Sequence, residues 1–202
     1  MPNTLGKTDI CNLALRRIGV RSINNVETDT DTAAVEMKAV WPNAVQCVLR
    51  EAEWNFAKKI TPLALLDGEE VLGWRFLYTY PRDCAMFWKV ESPTSSMVHE
   101  FEHKWEALLS PDTNTPVIAT NVEGAYGRYT AQVTDTTRWD AHFVDCLAWR
   151  LAYDACPRLS SDAAEFQKCV RGYAAALSNA QTMNKVENKN HHEQFGFFIN
   201  VR

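Results

Sequence analysis

The apolar residues of this chain change their spacing along its length, and that change limits the fold more than any other feature. From Ile10 to Ala52 they recur every three to four residues. From Trp74 to Val133 they gather in aromatic and β-branched runs, and from Trp139 to Ala180 the helical spacing returns. A side chain returns to the same face at period 3.6 in a helix and at period 2 in a strand, so no single element type satisfies both patterns. The expectation is an α+β fold. Helices from residues 1–60 and 139–187 pack as one bundle, residues 61–138 form an inserted antiparallel sheet or small sandwich, and residues 188–202 form an extended C-terminal arm.

Local signals place the elements. Thr8–Ile18 reads as a short helix, with Thr8 placed to cap it and Gly19 where a left-handed C-terminal glycine belongs. Asp31 or Thr32 caps the second helix, whose stripe is Met37, Val40, Trp41, Ala44, Val45, Val48 and Ala52 and which ends near Glu53. Pro42 predicts a kink or a break near Trp41. In the middle, Trp74–Tyr80, Cys84–Val90, Val117–Asn121 and Tyr126–Val133 read as strands, with Gly124–Gly127 as a hairpin turn. Trp139–Ala155 reads as a helix that stops before Pro157. Ser161 or Asp162 caps the last helix, where Asp162 with Glu165 resembles a capping box and the stripe is Phe166, Cys169, Val170, Tyr173, Leu177 and Ala180.

Composition narrows the function classes. At 46% hydrophobic and 23% charged residues in 202, the chain is globular rather than disordered or collagen-like. Its net charge of -4 does not favour free nucleic-acid binding, which calls for a basic surface. The basic pairs Arg16-Arg17 and Lys58-Lys59 are too sparse to change that. The charge is uneven: residues 1–60 carry a net +1, residues 61–138 a net -5 and residues 139–202 none. The six cysteines (11, 47, 84, 146, 156 and 169) contain no CxxC pair and have mostly apolar neighbours, which predicts buried free thiols. The N-terminus lacks the pattern of a signal peptide and no run reads as a membrane span, so synthesis in a reducing cytoplasm is expected.

One motif carries potential chemistry. His99-Glu100-Phe101-Glu102-His103 fits H-E-x-x-H, the zinc-peptidase pattern, which works on a helix because residues four apart share a face there. Here charged residues alternate with His, Phe and Trp at period 2. On a strand the two histidines stand about 13 Å apart, too far for one zinc ion. A strand with an aromatic-histidine face is the favoured reading, and a zinc hydrolase using His99, Glu100 and His103 is the alternative. Glu69-Glu70 and Glu100/Glu102 read as solvated faces, and His191-His192 as part of a polar tether. There is no phosphate loop and no dinucleotide-binding turn, so neither a catalytic residue nor a cofactor or metal is expected.

The tail is the candidate binding element. Phe195, Phe197, Ile199 and Val201 alternate with Gly196, Phe198 and Asn200, which is strand periodicity with no later segment to cover it. Either it folds back on its own sheet, or it adds to another subunit's edge or a partner's groove. The second reading makes Phe195, Phe197, Phe198, Ile199 and Val201 the partner-binding residues, tethered by the polar stretch Asn188–Glu193.

Three stretches in order resemble one family. They are Ile10-Cys-Asn-Leu-Ala-Leu-Arg-Arg-Ile-Gly19 with the helix end Leu49-Arg-Glu-Ala-Glu-Trp-Asn-Phe-Ala57; Trp74 through Tyr80-Pro-Arg-Asp-Cys84 into Trp88-Lys-Val90; and Asn121-Val-Glu-Gly124 through Tyr129, Val133-Thr-Asp135, Trp139-Asp140 and Phe143 to Leu147-Ala-Trp-Arg-Leu-Ala152. Together they resemble the tail tubular protein A-like head-to-tail adaptors of short-tailed bacteriophages, over about residues 8–185; the C-terminal arm falls outside the resemblance. The resemblance implies a non-enzymatic virion component in the tail neck. Its subunits would form a ring, typically of twelve, between the portal protein and a tail nozzle protein of the tail tubular protein B type. It also implies that helices face the portal and that genomic DNA passes through the lumen without specific binding, for which a mildly acidic surface is suited.

Overall fold

A computed structural model describes residues 4–68, 71–93, 103–160 and 162–188. It is an α+β protein, with four helices and two small antiparallel sheets among the described residues. By contact it divides into two compact units, one made of 1–56 with 133–202 and the other of 57–132.

The helical unit contains α1 (Lys7–Arg17), α2 (Thr32–Glu51), α3 (Ala141–Leu159) and α4 (Ala163–Asn188), and α1, α2 and α4 each pack against α3. That arrangement follows from sequence: α3 buries nine apolar residues spread around its circumference, from Phe143 to Cys156, and a helix apolar all round belongs at the centre of a bundle. Gly6 rather than Thr8 is the N-cap of α1; the Thr8 hydroxyl instead accepts the Val26 N–H at 3.2 Å. At the other end Gly19 has φ +68°, with Gly19 N–H donating to Arg16 O (3.3 Å) and Val20 N–H to Leu15 O (3.0 Å). This is the Schellman pair that the glycine permits. Asp31 caps α2 through Ala34 N–H, and Asp140 caps α3 through Phe143 N–H at 2.7 Å. Asp162 accepts Ala164 N–H at 2.7 Å at the start of α4.

Both prolines expected to interrupt helices lie inside them. α2 continues through Pro42, and α3 through Pro157 to Leu159. Proline removes one N–H and strands one carbonyl four residues back. Pro42 and Lys38 are exposed, and Pro157 is exposed above a half-buried Tyr153, so solvent is at hand on those faces. Val170, expected in the buried stripe of α4, lies 37% exposed, because the buried line of that helix runs through Cys169, Ala176 and Ala180.

An aromatic cluster fixes the chain around the bundle. Phe143 meets Trp54 (5.0 Å between ring centroids), Phe56 (5.0 Å) and Trp139 (4.9 Å), all edge-on. Two of these rings use the same device for their polar edge: Trp54 Nε1 donates to Val48 O at 2.8 Å and Trp139 Nε1 to Val133 O at 2.9 Å. Each buried indole N–H is thereby satisfied within a few residues of sequence.

The second unit holds β1 (Lys58–Pro62), β2 (Phe76–Thr79), β3 (Cys84–Glu91), β4 (Trp105–Leu109), β5 (Pro116–Thr120) and β6 (Tyr126–Ala131). They form two three-stranded sheets, β1-β6-β3 and β2-β5-β4. Residues 58–60, expected in the helical part, pair with β6, Lys58 opposite Thr130 and Ile60 opposite Arg128. The unit ends at Gln132 rather than 138, because Val133 and Trp139 are buried in the helical unit. Gly124–Gly127 is not a hairpin turn: β5 and β6 belong to different sheets, so the chain crosses between layers there. Gly127 sits where an added Cβ would come within 2.7 Å of Phe87 Cε2 and 2.8 Å of Leu63 Cδ2. Between the sheets lie Leu63, Tyr78, Phe87, Val90, Ile118 and Tyr129. The far side of the β2-β5-β4 sheet buries Leu77, Val117 and Ala119 beneath Leu66, Val71, Trp74 and Leu108.

Candidate functional site

The partner-binding residues expected from sequence, Phe195, Phe197, Phe198, Ile199 and Val201, lie outside the described residues, as do His99, Glu100, Phe101 and Glu102. His103 is described: it is half-buried, in irregular chain two residues ahead of β4. Among the described residues no three His, Cys, Asp or Glu side chains converge as metal ligands. Glu106, on β4, accepts the indole N–H of Trp74 at 3.3 Å.

Two half-buried arginines gather the polar groups of the helical unit. The guanidinium of Arg17 pairs with Asp145 and lies 4.2 Å from the Trp149 ring centroid. Burial pulls its pKa below the ordinary arginine value, with Asp145 opposing. The Arg150 guanidinium is 3.0 Å from Asp154 and 3.9 Å from Glu51, and it lies over the rings of Tyr153 and Tyr173. Burial works against its charge, but the hydrogen bond and charge of Asp154 outweigh that and raise its pKa. Tyr173 donates to Glu51 Oε2 at 2.6 Å, and burial together with that bond raises its pKa. These groups are mutually satisfied, which suits a fixed structural network rather than a group poised to exchange protons.

In the sheet unit Asp83 joins Lys59 and the Tyr129 hydroxyl (2.9 Å), and the bond from Lys59 leads in holding its carboxyl below the ordinary range. All six cysteines are free, and all but Cys47 are buried, as their apolar neighbours predicted. Burial raises the thiols of Cys11 and Cys146 to about 12 and that of Cys169 to about 11, the opposite of an activated nucleophile.

Exposed leucines mark the surface that sequence reasoning missed. Leu109 closes β4 and is 57% exposed; Leu65 is 48% exposed and Leu72 fully so. Leu65 lies beside β2 on the side away from β5: it bridges Tyr78, with Leu66 N–H donating to Leu77 O (2.8 Å) and Thr79 N–H to Ala64 O (2.9 Å). Leu65 and Leu109 therefore stand at opposite edges of one sheet, since its order is β2-β5-β4. Leu72 occupies the first central position of a turn closed by Trp74 N–H to Val71 O (3.1 Å), with Gly73 at φ +91° in the second. That left-handed glycine is the signature of a type II turn, and it holds the leucine at the tip. The pair Leu72-Gly73 was the available sequence signal. For Leu109 there was none, because exposure of an edge leucine is decided by which strand becomes the edge.

Among the described residues no helix is long and apolar enough to cross a membrane. No protein-family model matches this chain, and a search of curated proteins finds no match to it.

Proposed function

We propose that the chain is a structural subunit of a phage neck, a head-to-tail adaptor that self-assembles into a ring, expected to be dodecameric, joining the portal protein to the tail nozzle. It would assemble in the host cytoplasm and reside in the virion, with the genome passing through its lumen. The supporting observation is the placement of exposed apolar residues at opposite edges of one sheet, Leu65 on one side and Leu109 on the other. Unlike exposed residues at opposite edges suit head-to-tail association, which closes into a ring when the rotation permits; a twofold dimer would use one self-complementary surface. The ordered sequence resemblance over residues 8–185 and the net -5 of residues 61–138 agree with a conduit that does not hold DNA.

Negative-stain microscopy of the purified chain mixed with portal protein tests this. The expected result is an annular particle seated on the portal. Chain that neither forms rings nor binds the portal overturns the reading.

A further inference from the structure

β4 lies at the edge of its sheet among the described residues. β4 pairs with β5 on one side, and among the described residues no strand pairs with it on the other. Ala107 pairs with Ile118 and Leu109 with Pro116. Residues opposite one another share a face, so Ala107 and Leu109 lie on the face of Ile118, which is buried between the sheets. Yet both are exposed. Proteins usually blunt such an edge with Pro, Lys or a bulge. β4 is Trp-Glu-Ala-Leu-Leu, and its pairing with β5 runs in unbroken register. An inward-facing apolar pair at an open, regular edge is a template for an added strand.

The chain also contains a segment of the matching kind. α4 ends at Asn188, and 14 residues follow it. Residues 195–201 place four apolar side chains (Phe195, Phe197, Ile199 and Val201) at period 2. Seven residues suffice to cover the five of β4. The polar residues 189–194 before them span at most about 20 Å when extended. In strand addition, main-chain hydrogen bonds supply affinity and alternate side chains supply fit. Both would be available here: among the described residues nothing pairs with the outer main chain of β4, and as a strand the segment would set its four apolar residues on one face, beside the exposed Ala107 and Leu109.

We propose, on the ring reading above, that residues 195–201 of one copy add as a strand to the free edge of β4 in the next copy. Each subunit then carries one donor and one acceptor, and the link propagates in one direction, as a closed ring requires.

The test uses a fluorescein-labelled peptide of residues 189–202 and the full-length chain carrying Phe197→Asp and Ile199→Asp, whose own tail is thereby disabled. The peptide is expected to bind this protein saturably. Adding Leu109→Glu, or separately Ala107→Lys, to the protein should weaken binding at least tenfold, with unchanged circular dichroism showing that each variant folds. Wild-type chain should associate with rising concentration in sedimentation, and Leu109→Glu should reduce that association. A peptide that does not bind, or that binds the edge variants equally well, overturns the proposal. So does wild-type chain that remains monomeric and refuses the peptide, since its tail then occupies its own edge. Rings formed equally by wild-type and Leu109→Glu chains overturn this link while leaving the ring reading intact. Edge-specific peptide binding with concentration-dependent association but no ring supports the link and counts against the ring.

Discussion

The six-membered ring of Trp149 occupies the space that a β-carbon at residue 172 would fill: an ideal Cβ built on Gly172 comes within 2.6 Å of both Cε3 and Cζ3 of the indole. α3 and α4 pack together, and this is a place where only glycine lets them approach. The same indole carries Arg17 at 4.2 Å from its ring centroid, so a displaced Trp149 also disturbs the Arg17–Asp145 pair. Replacing Gly172 by Ala should gain about 1 kcal/mol of helix propensity and lose about 2–3 kcal/mol to the clash, for a net destabilisation of about 1–2 kcal/mol. Urea unfolding of Gly172→Ala measures this. A variant about 1 kcal/mol more stable than wild type would show that the indole moves aside without cost.

A second prediction concerns the polar seam of the bundle. Tyr173 donates to Glu51 Oε2, Glu51 faces Arg150, and the Glu51 carbonyl accepts Gln181 Nε2 at 3.1 Å. A hydrogen bond to a charged, partly buried partner contributes about 1.5–3 kcal/mol. Tyr173→Phe keeps the ring over Arg150 and removes only the donor, so it should cost about 1–2 kcal/mol in the same assay. Combined with Glu51→Gln its effect should shrink, because the charged acceptor is then gone; additive losses would count against a coupled network.

How far these features could be read from sequence depends on how local they are. Gly19, Asp31 and Asp162 act within a few residues of themselves, and each stands at the helix end where its chemistry placed it. Pro42 and Pro157 misled, because whether a proline ends a helix depends on what packs around it and on solvent reaching the orphaned carbonyl. β1 left no apolar alternation in Lys-Lys-Ile-Thr-Pro; only its pairing with a strand some 70 residues away makes it a strand. The layer change between β5 and β6 is equally non-local. Of the candidate surfaces, the period-2 tail was visible in sequence, whereas the exposure of Leu65 and Leu109 belongs to sheet order, which periodicity does not encode.

Burial sets the reactivity of the thiols. Five of the six cysteines are buried, and Cys47 alone is partly exposed. Reaction needs a solvent-reachable thiolate, so native chain with an aromatic disulfide reagent at pH 8 should release about one equivalent of chromophore quickly and the remainder only in denaturant. Cys47→Ser should abolish the fast phase. Rapid modification of several thiols in the native state would contradict the packing around α3, which contributes Cys146 and Cys156.

The raised thiol and phenol pKa values also fix how stability changes at alkaline pH. Cys11 and Cys146 move from an ordinary 9.0 to about 12, and Tyr129 moves from 10.0 to about 12 through burial and its bond to Asp83. Each of these groups is neutral when protonated, and the folded chain holds the proton to higher pH than the unfolded chain does. Between about pH 9 and pH 12 the unfolded state therefore binds fewer protons than the native state, and the free energy of unfolding falls as pH rises. The contribution is complete below pH 9 and is lost by about pH 12. Each proton in difference adds about 1.4 kcal/mol per pH unit to the slope. Urea midpoints collected from pH 7 to 11 should be flat at first and then decline. Cys11→Ala and Cys146→Ala should each make the decline shallower, since each removes one of the protons in difference. A curve that stays level to pH 11 would mean that these thiols ionise in the native state and are not held as their burial requires.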